Sequence, residues 1–226
     1  MAVQDFDKLN ILKRRSIPYD EYFADMELTP KQREQRKKTA LILEDILSII
    51  FEVMFVQYTM NMVNETAVKQ QFIYDLYDAI EDDDFFDDEE QFEEYLFTLV
   101  DEIVDTTFKN LKEHPNDYDY TGEKPYWVSE DRVQVIAENE ANHLSNNKDY
   151  LDAKNSGKTH KMWVAFPDDR VRPTHQIVNG AEIPIDSYFE VGRARMLYPM
   201  DTTSLYSTGA ECPEEVIGCR CQVLYF

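Results

Sequence analysis

The sequence predicts an α+β protein: an N-terminal, mostly helical region over residues 1–121, followed by a small α+β domain with short strands over residues 122–226. Three observations predict it. Apolar residues recur at helical spacing through most of the first half. A run of breakers, from His114-Pro115-Asn116-Asp117 to Gly122-Glu123-Lys124-Pro125, then interrupts the pattern and marks the boundary. After the turn Asn155-Ser156-Gly157-Lys158 the apolar runs are short and β-like.

Residues 1–28 form a mixed lead-in bearing Pro18, Tyr19, Tyr22 and Phe23. Thr29-Pro30 places an N-cap before a proline at the first helical position, and Gln32 stands where it closes a capping box. The first long helix is expected from Pro30 to Asn61. Its start is basic (Lys31, Arg33, Arg36, Lys37, Lys38), against the dipole preference for acids at this end. These cations read as a contact patch or as a solvated face. From Leu41 to Met62 apolar residues occupy nearly every side: Leu43, Ile46, Leu47, Ile50 and Met54 on one, Ile42, Ile49, Val53 and Val56 on another. A helix apolar all round is buried among other helices or in an oligomer interface.

Two further helices are expected at Glu65–Ile80 and Glu89–Lys112, separated by the acidic turn Glu81 to Asp88. The second carries Phe92, Leu96, Leu99, Val100, Ile103 and Phe108 at helical spacing. Ser129 caps another helix, Glu130 to about Asn146, with two acids in its first turn. Lys161 to Phe166 reads as a strand, Asn179-Gly180 as a tight turn, and Met196-Leu197-Tyr198 and Gln222 to Phe226 as short strands.

The 43% hydrophobic and 13% aromatic content indicates folded material. The first ten residues do not resemble a signal peptide. The most apolar stretch, Leu41 to Val56, is broken by Glu44, Asp45 and Glu52 and falls short of the roughly 20 apolar residues a bilayer span needs. A soluble, non-exported protein without a membrane partner is expected. The three cysteines, Cys212, Cys219 and Cys221, are then reduced thiols. The formal charge of −22 is uneven: residues 1–121 hold 12 Lys/Arg against 29 Asp/Glu. Between Asp75 and Asp105 there are 15 acidic residues and no basic one. Such a surface repels nucleic acid, which argues against a sequence-specific DNA reader. It leaves open a solvated face, a surface for a basic partner, or an acidic DNA mimic acting as an inhibitor.

The last third concentrates polar groups of several chemical kinds in short β-like runs. After the element Ile136-Ala137-Glu138-Asn139-Glu140 on the preceding helix, these are in order Trp163, Asp168-Asp169-Arg170-Val171-Arg172-Pro173-Thr174-His175, Gly180, Phe189, Tyr198-Pro199-Met200-Asp201, and Glu215 through Cys219-Arg220-Cys221. Their order resembles the phage head-morphogenesis domain of Mu F-like minor head proteins, over roughly Ser129 to Phe226. The departure is Gly218, where that family usually has Asn. The resemblance implies a non-enzymatic minor head protein that joins the procapsid with the portal and acts in genome packaging or ejection. The partners it implies are the portal protein and a scaffold or major capsid protein, with packaged DNA touched only indirectly and oligomers in the virion. It implies a location in the virion, at the head interior or portal vertex, after assembly in the host cytoplasm. The helical region outside the resemblance would be the part that docks.

Chemistry of other kinds remains open. Glu140, Arg170, Arg172 and His175 offer the residue types of a metal-free nuclease or transferase: a carboxylate base, phosphate-binding guanidiniums and an imidazole acid. The same residues make a buried ion network as readily, with Arg partnering Glu140 or Asp169. No cofactor is required. His175, Cys219 and Cys221 do have ligand types suited to zinc, and Cys212 or His160 can complete four. In a strand the two cysteines point to one face, which serves packing equally well; a disulfide involving Cys212 is the third option. Trp163 reads as core, Gly180 as a turn residue, His114 as surface and His143 as structural.

Overall fold

The computed structural model describes residues 18–24, 26, 28–119, 122–166, 171–201, 205–206 and 212–226. Helices run over Tyr19–Ala24 (α1), Pro30–Thr59 (α2), Glu65–Ile80 (α3), Glu89–Glu113 (α4), Glu130–Asn155 (α5), Pro173–Ile177 (α6) and Pro213–Val216 (α7). Single 3-10 turns lie at Glu81–Asp83 and Tyr126–Val128. The strands are His160–Val164 (β1), Glu182–Pro184 (β2), Phe189–Val191 (β3), Ala194–Met196 (β4), Leu205–Tyr206 (β5) and Gln222–Tyr225 (β6). The class is α+β, helical first and short-stranded after.

The chain forms two compact units, and among the described residues the divisions fall inside helices: between Lys37 and Lys38, and between Glu138 and Asn139. Residues 114–125, where the sequence places its boundary, belong to the unit of residues 38–138. The breaker-rich loop is tied back on itself there: Tyr126 donates to the Asp117 carbonyl at 2.6 Å, and Asp119 to the Lys124 carbonyl at 2.9 Å.

In the helical unit, residues 38–138, α2 buries Leu43, Leu47, Ile50, Phe51 and Met54. α3 buries every fourth residue (Val68, Phe72, Leu76, Ile80), and α4 buries Phe92, Leu96, Val100, Ile103, Phe108 and Leu111. Burying such side chains contributes roughly 1.5–3 kcal/mol each. Asn64 caps α3 by accepting from the Ala67 amide at 3.2 Å. Asp88 caps α4 by accepting from the Gln91 amide at 2.8 Å, with Glu89 and Glu90 favourably placed in the first turn. Part of the acidic run therefore starts a helix. Arg132 is buried, donating to Thr107 Oγ1 at 2.6 Å and to the Trp127 carbonyl at 2.7 Å beneath the rings of Phe51 and Trp127. The apolar all-round expectation for α2 is met on one side only. Leu41, Ile49, Val53 and Val56 stay exposed.

The second unit holds α1, the start of α2, the remainder of α5 and both sheets. The capping box closes: Gln32 Oε1 accepts from the Thr29 amide at 3.0 Å, and Thr29 Oγ1 accepts from the Gln32 amide at 3.3 Å. The basic start of α2 is neither a patch nor a uniformly solvated face. Arg36 is 1% exposed, because Asn142, Asn146 and Asp149 on α5 receive its guanidinium. Arg33 donates to the Phe23 carbonyl, and Lys37 pairs with Asp20.

α5 continues well past the expected end near Asn146. Asn142, Asn146 and Asn147 are held by tertiary partners, and Tyr150 and Ala153 extend the buried face. It stops at Gly157 (φ +77), where Gly157 donates to the Lys154 carbonyl and Lys158 to the Ala153 carbonyl, both at 3.0 Å, as a Schellman end requires. One antiparallel sheet has the order β2-β1-β6 and the other β3-β4-β5. The strand expected at Met196–Tyr198 is shifted: Met196 ends β4, and Leu197 and Tyr198 turn away. Asn179-Gly180 is a turn, but not a hairpin. It follows α6, only Gly180 takes positive φ (+76), and Asn179 Oδ1 accepts from the Ala165 amide at 2.9 Å.

Candidate functional site

Trp163 on the central strand β1 has no exposed surface. Its ring meets Phe189 and His175 edge-on, at 5.2 and 5.6 Å between centroids. His175 is placed by α6, which begins where a proline at its first turn follows extended Arg172. The Arg172 guanidinium donates to the Ile217 carbonyl and so ties the start of α6 to the end of α7. Beyond α7, Gly218 turns the chain into Cys219-Arg220-Cys221 and β6. The two cysteines face inward, and the Arg220 guanidinium goes the other way, 3.8 Å from the Phe166 ring centroid.

His175 is 1% exposed, and its two ring nitrogens meet different chemistry. Nε2 lies 3.1 Å from Glu215 Oε2, which also accepts from Thr174 Oγ1 at 2.8 Å. Nδ1 lies 3.4 Å from Cys221 Sγ and 3.5 Å from Cys219 Sγ. The three ligand-type atoms of His175, Cys219 and Cys221 lie within 4.8 Å of one another.

Burial alone pulls the imidazole pKa down, but hydrogen bonds to Cys221 and Glu215 outweigh it and leave His175 above its usual value. Burial likewise acts to raise Glu215, yet the bonds from His175 and Thr174 bring it below the usual carboxylate range. The two thiols split. Burial pushes Cys219 well up, whereas the hydrogen bond from Cys219 brings Cys221 down, with His175 acting in the same direction. The arrangement favours one thiolate facing an imidazolium, itself backed by a carboxylate.

A polar relay supports the cysteine turn from behind. Arg36 Nε donates to Asn142 Oδ1 at 3.0 Å, and Asn142 Nδ2 donates to the Cys219 carbonyl at 3.0 Å. The neighbouring segment Tyr198–Asp201 is held by α5 as well. His143 Nδ1 donates to the Met200 carbonyl at 2.7 Å, Asn146 Nδ2 to the Pro199 carbonyl at 2.9 Å, and the Tyr198 hydroxyl to Asn147 Oδ1 at 2.9 Å. His143 is thus structural, as expected. Gly218 has φ +70, and its amide donates to Asn139 Oδ1 at 3.0 Å. Glycine and asparagine are the residues that tolerate this left-handed conformation, so Gly218 is a conformational equivalent of the Asn that the resemblance puts there. Gly192 (φ +62) is needed for space too: a Cβ there would stand 2.9 Å from Glu215 Oε1.

Of the residues singled out in the sequence, Trp163, Arg172, His175, Cys219 and Cys221 come together. Asp168, Asp169 and Arg170 lie outside the described residues. Glu140 is half-buried on α5; the carboxylate bonded to His175 is Glu215. Cys212 is buried in the apolar cluster around Trp163, and all three cysteines are free thiols. His160 is exposed on β1 and stacks on Phe226, so it does not extend the cluster. Sequence reasoning passed over Arg36, Asn142, Thr174 and Glu215 as chemical partners. One signal was available: Asn142, Asn146 and Asp149 fall on one face of a helix, a polar stripe where an apolar one is usual.

Residues 103–224 match the family described as phage Mu protein F-like protein. The match starts within α4, upstream of Ser129 where the motif resemblance begins. No curated protein and no solved structure matches the chain at a significant level. No helix among the described residues is long and apolar enough to cross a membrane.

Proposed function

The chain belongs to the phage Mu protein F-like family, a family of phage head proteins, and from that premise we propose that it is a minor head protein acting at the portal vertex. In this reading it joins the procapsid by contact with the portal protein and with scaffold or major capsid protein, remains in the head interior, and assists genome packaging or ejection. The single observation that carries the reading is the family match over residues 103–224.

Two features support it. Among the described residues His175, Cys219 and Cys221 are buried, at 1–2% exposure, which suits a scaffold better than the nuclease-like alternative. The helical unit offers exposed apolar residues on α2, Leu41, Ile49, Val53 and Val56, at helical spacing. Contiguous apolar surface of this kind marks interaction sites, and the portal protein is the occupant the family role implies.

The test is co-expression with the portal protein of the same phage genome, followed by size exclusion with light scattering. A stable complex of defined ratio is the expected result. Two separate peaks at micromolar concentration would remove the portal as partner.

A further inference from the structure

We propose that His175 Nδ1, Cys219 Sγ and Cys221 Sγ hold a structural zinc ion, with Glu215 as the carboxylate that orients the imidazole.

The distances match a tetrahedral centre. With Zn–S near 2.3 Å and Zn–N near 2.0–2.1 Å, tetrahedral geometry puts a ligand nitrogen about 3.6 Å from a ligand sulfur. His175 Nδ1 stands 3.4 Å from Cys221 Sγ and 3.5 Å from Cys219 Sγ. The cysteines flank Arg220, and their inward alternation sets both sulfurs on the side where His175 arrives from another segment. The Cys-x-Cys spacing is therefore no obstacle: the third ligand comes from α6, not from a knuckle.

The surroundings are those of a metal ligand set. Glu215 Oε2 accepts a hydrogen bond from His175 Nε2–H and so leaves Nδ1 for the ion, the carboxylate–histidine–metal arrangement of protein zinc sites. Thr174 and the close approach of Gly192 hold that carboxylate in place. Thiolate and imidazole together suit zinc rather than magnesium or calcium. Binding displaces to solvent the proton on His175 Nδ1 and the one thiol proton left on Cys219. The described residues supply three ligands. The ion would clamp α6 to the turn before β6, a junction where the elements are only four or five residues long.

The full-length chain, purified under reducing conditions without a polyhistidine tag, tests this by elemental analysis and by titration with Co2+. Expected are one zinc per chain, a thiolate-to-cobalt absorption band in the near ultraviolet, and loss of both in Cys219→Ser and Cys221→Ser. Glu215→Gln keeps every ligand and is expected to bind zinc about 10–100-fold more weakly. Should the cysteine variants fail to fold, the wild-type cobalt spectrum and the Glu215→Gln affinity carry the test. A folded, reduced wild-type chain without zinc and without the cobalt band overturns the proposal, as does zinc retained at full affinity in both cysteine variants.

Discussion

Lys161 lies on β1 with no exposed surface, its ammonium donating to the Leu197 carbonyl at 2.7 Å and lying 5.2 Å from the Tyr150 ring and 5.3 Å from the Phe189 ring. Burial lowers its pKa to about 8, with Asp201 and Asp186 opposing the fall and Lys154 assisting it. The unfolded chain has the ordinary value of 10.5. Between these two values the unfolded state holds a proton that the folded state has released, so the Lys161 contribution makes the protein more stable as pH rises through the window. Lys161→Met removes it. Relative to that variant, the wild type is expected to gain roughly 3 kcal/mol from below pH 8 to above pH 10.5 in urea denaturation; parallel pH profiles would contradict the assignment. Neither Lys161 nor Arg36 is legible as a core residue in the sequence. Long cations are surface residues by default, and what buries Arg36 is a set of acceptors more than 100 positions away.

At the scale of elements, long helices were legible and short ones were not. Thr29 with Gln32, and Ser129 with its acids, mark helix starts that the capping bonds realise. Period alone carried α3 and α4. The strands β2 to β5 have two or three residues each, too few for an alternation to be read. α6 and α7 are single turns bounded by proline, again below what periodicity detects. On α2 the sequence declared apolar residues on nearly every side, and the structure separates those that are buried from those left exposed. Ile49 is 63% exposed, so Ile49→Lys is expected to change stability by no more than about 0.5 kcal/mol while abolishing co-elution with the portal protein. Unchanged co-elution would move the portal contact away from these residues.

For the whole molecule the dominant quantity is the formal charge of −22. Association with DNA is led by cations meeting phosphate, and an acidic surface gains nothing from counterion release. The purified chain is therefore expected to leave duplex DNA unshifted in a gel assay at physiological salt. A tight shift under those conditions would require a basic surface that the charge distribution does not predict. The family match also acts at this scale. It runs from α4 in the helical unit into β6 in the other, so the family segment and the compact units do not share limits. α5 is one unbroken helix that contributes to both units.

Local interactions were decided by the sequence itself: where the long helices start, which faces of α3 and α4 are apolar, the acidic character, and the ordered motifs that identify the family. Each depends on residues a few positions apart, or on composition. Tertiary structure alone decided which polar residues are inside. Arg36, Asn142 and Lys161 are buried because acceptors from distant segments arrive to meet them, and α5 outruns its expected end for the same reason. His175 illustrates both. Its place in a motif was readable in order and spacing, but its partnership with Glu215, Cys219 and Cys221 exists only once α6 and the turn before β6 are folded onto the same core. A side chain's chemistry is set by what surrounds it, and the surroundings come from chain closure over some 40 residues.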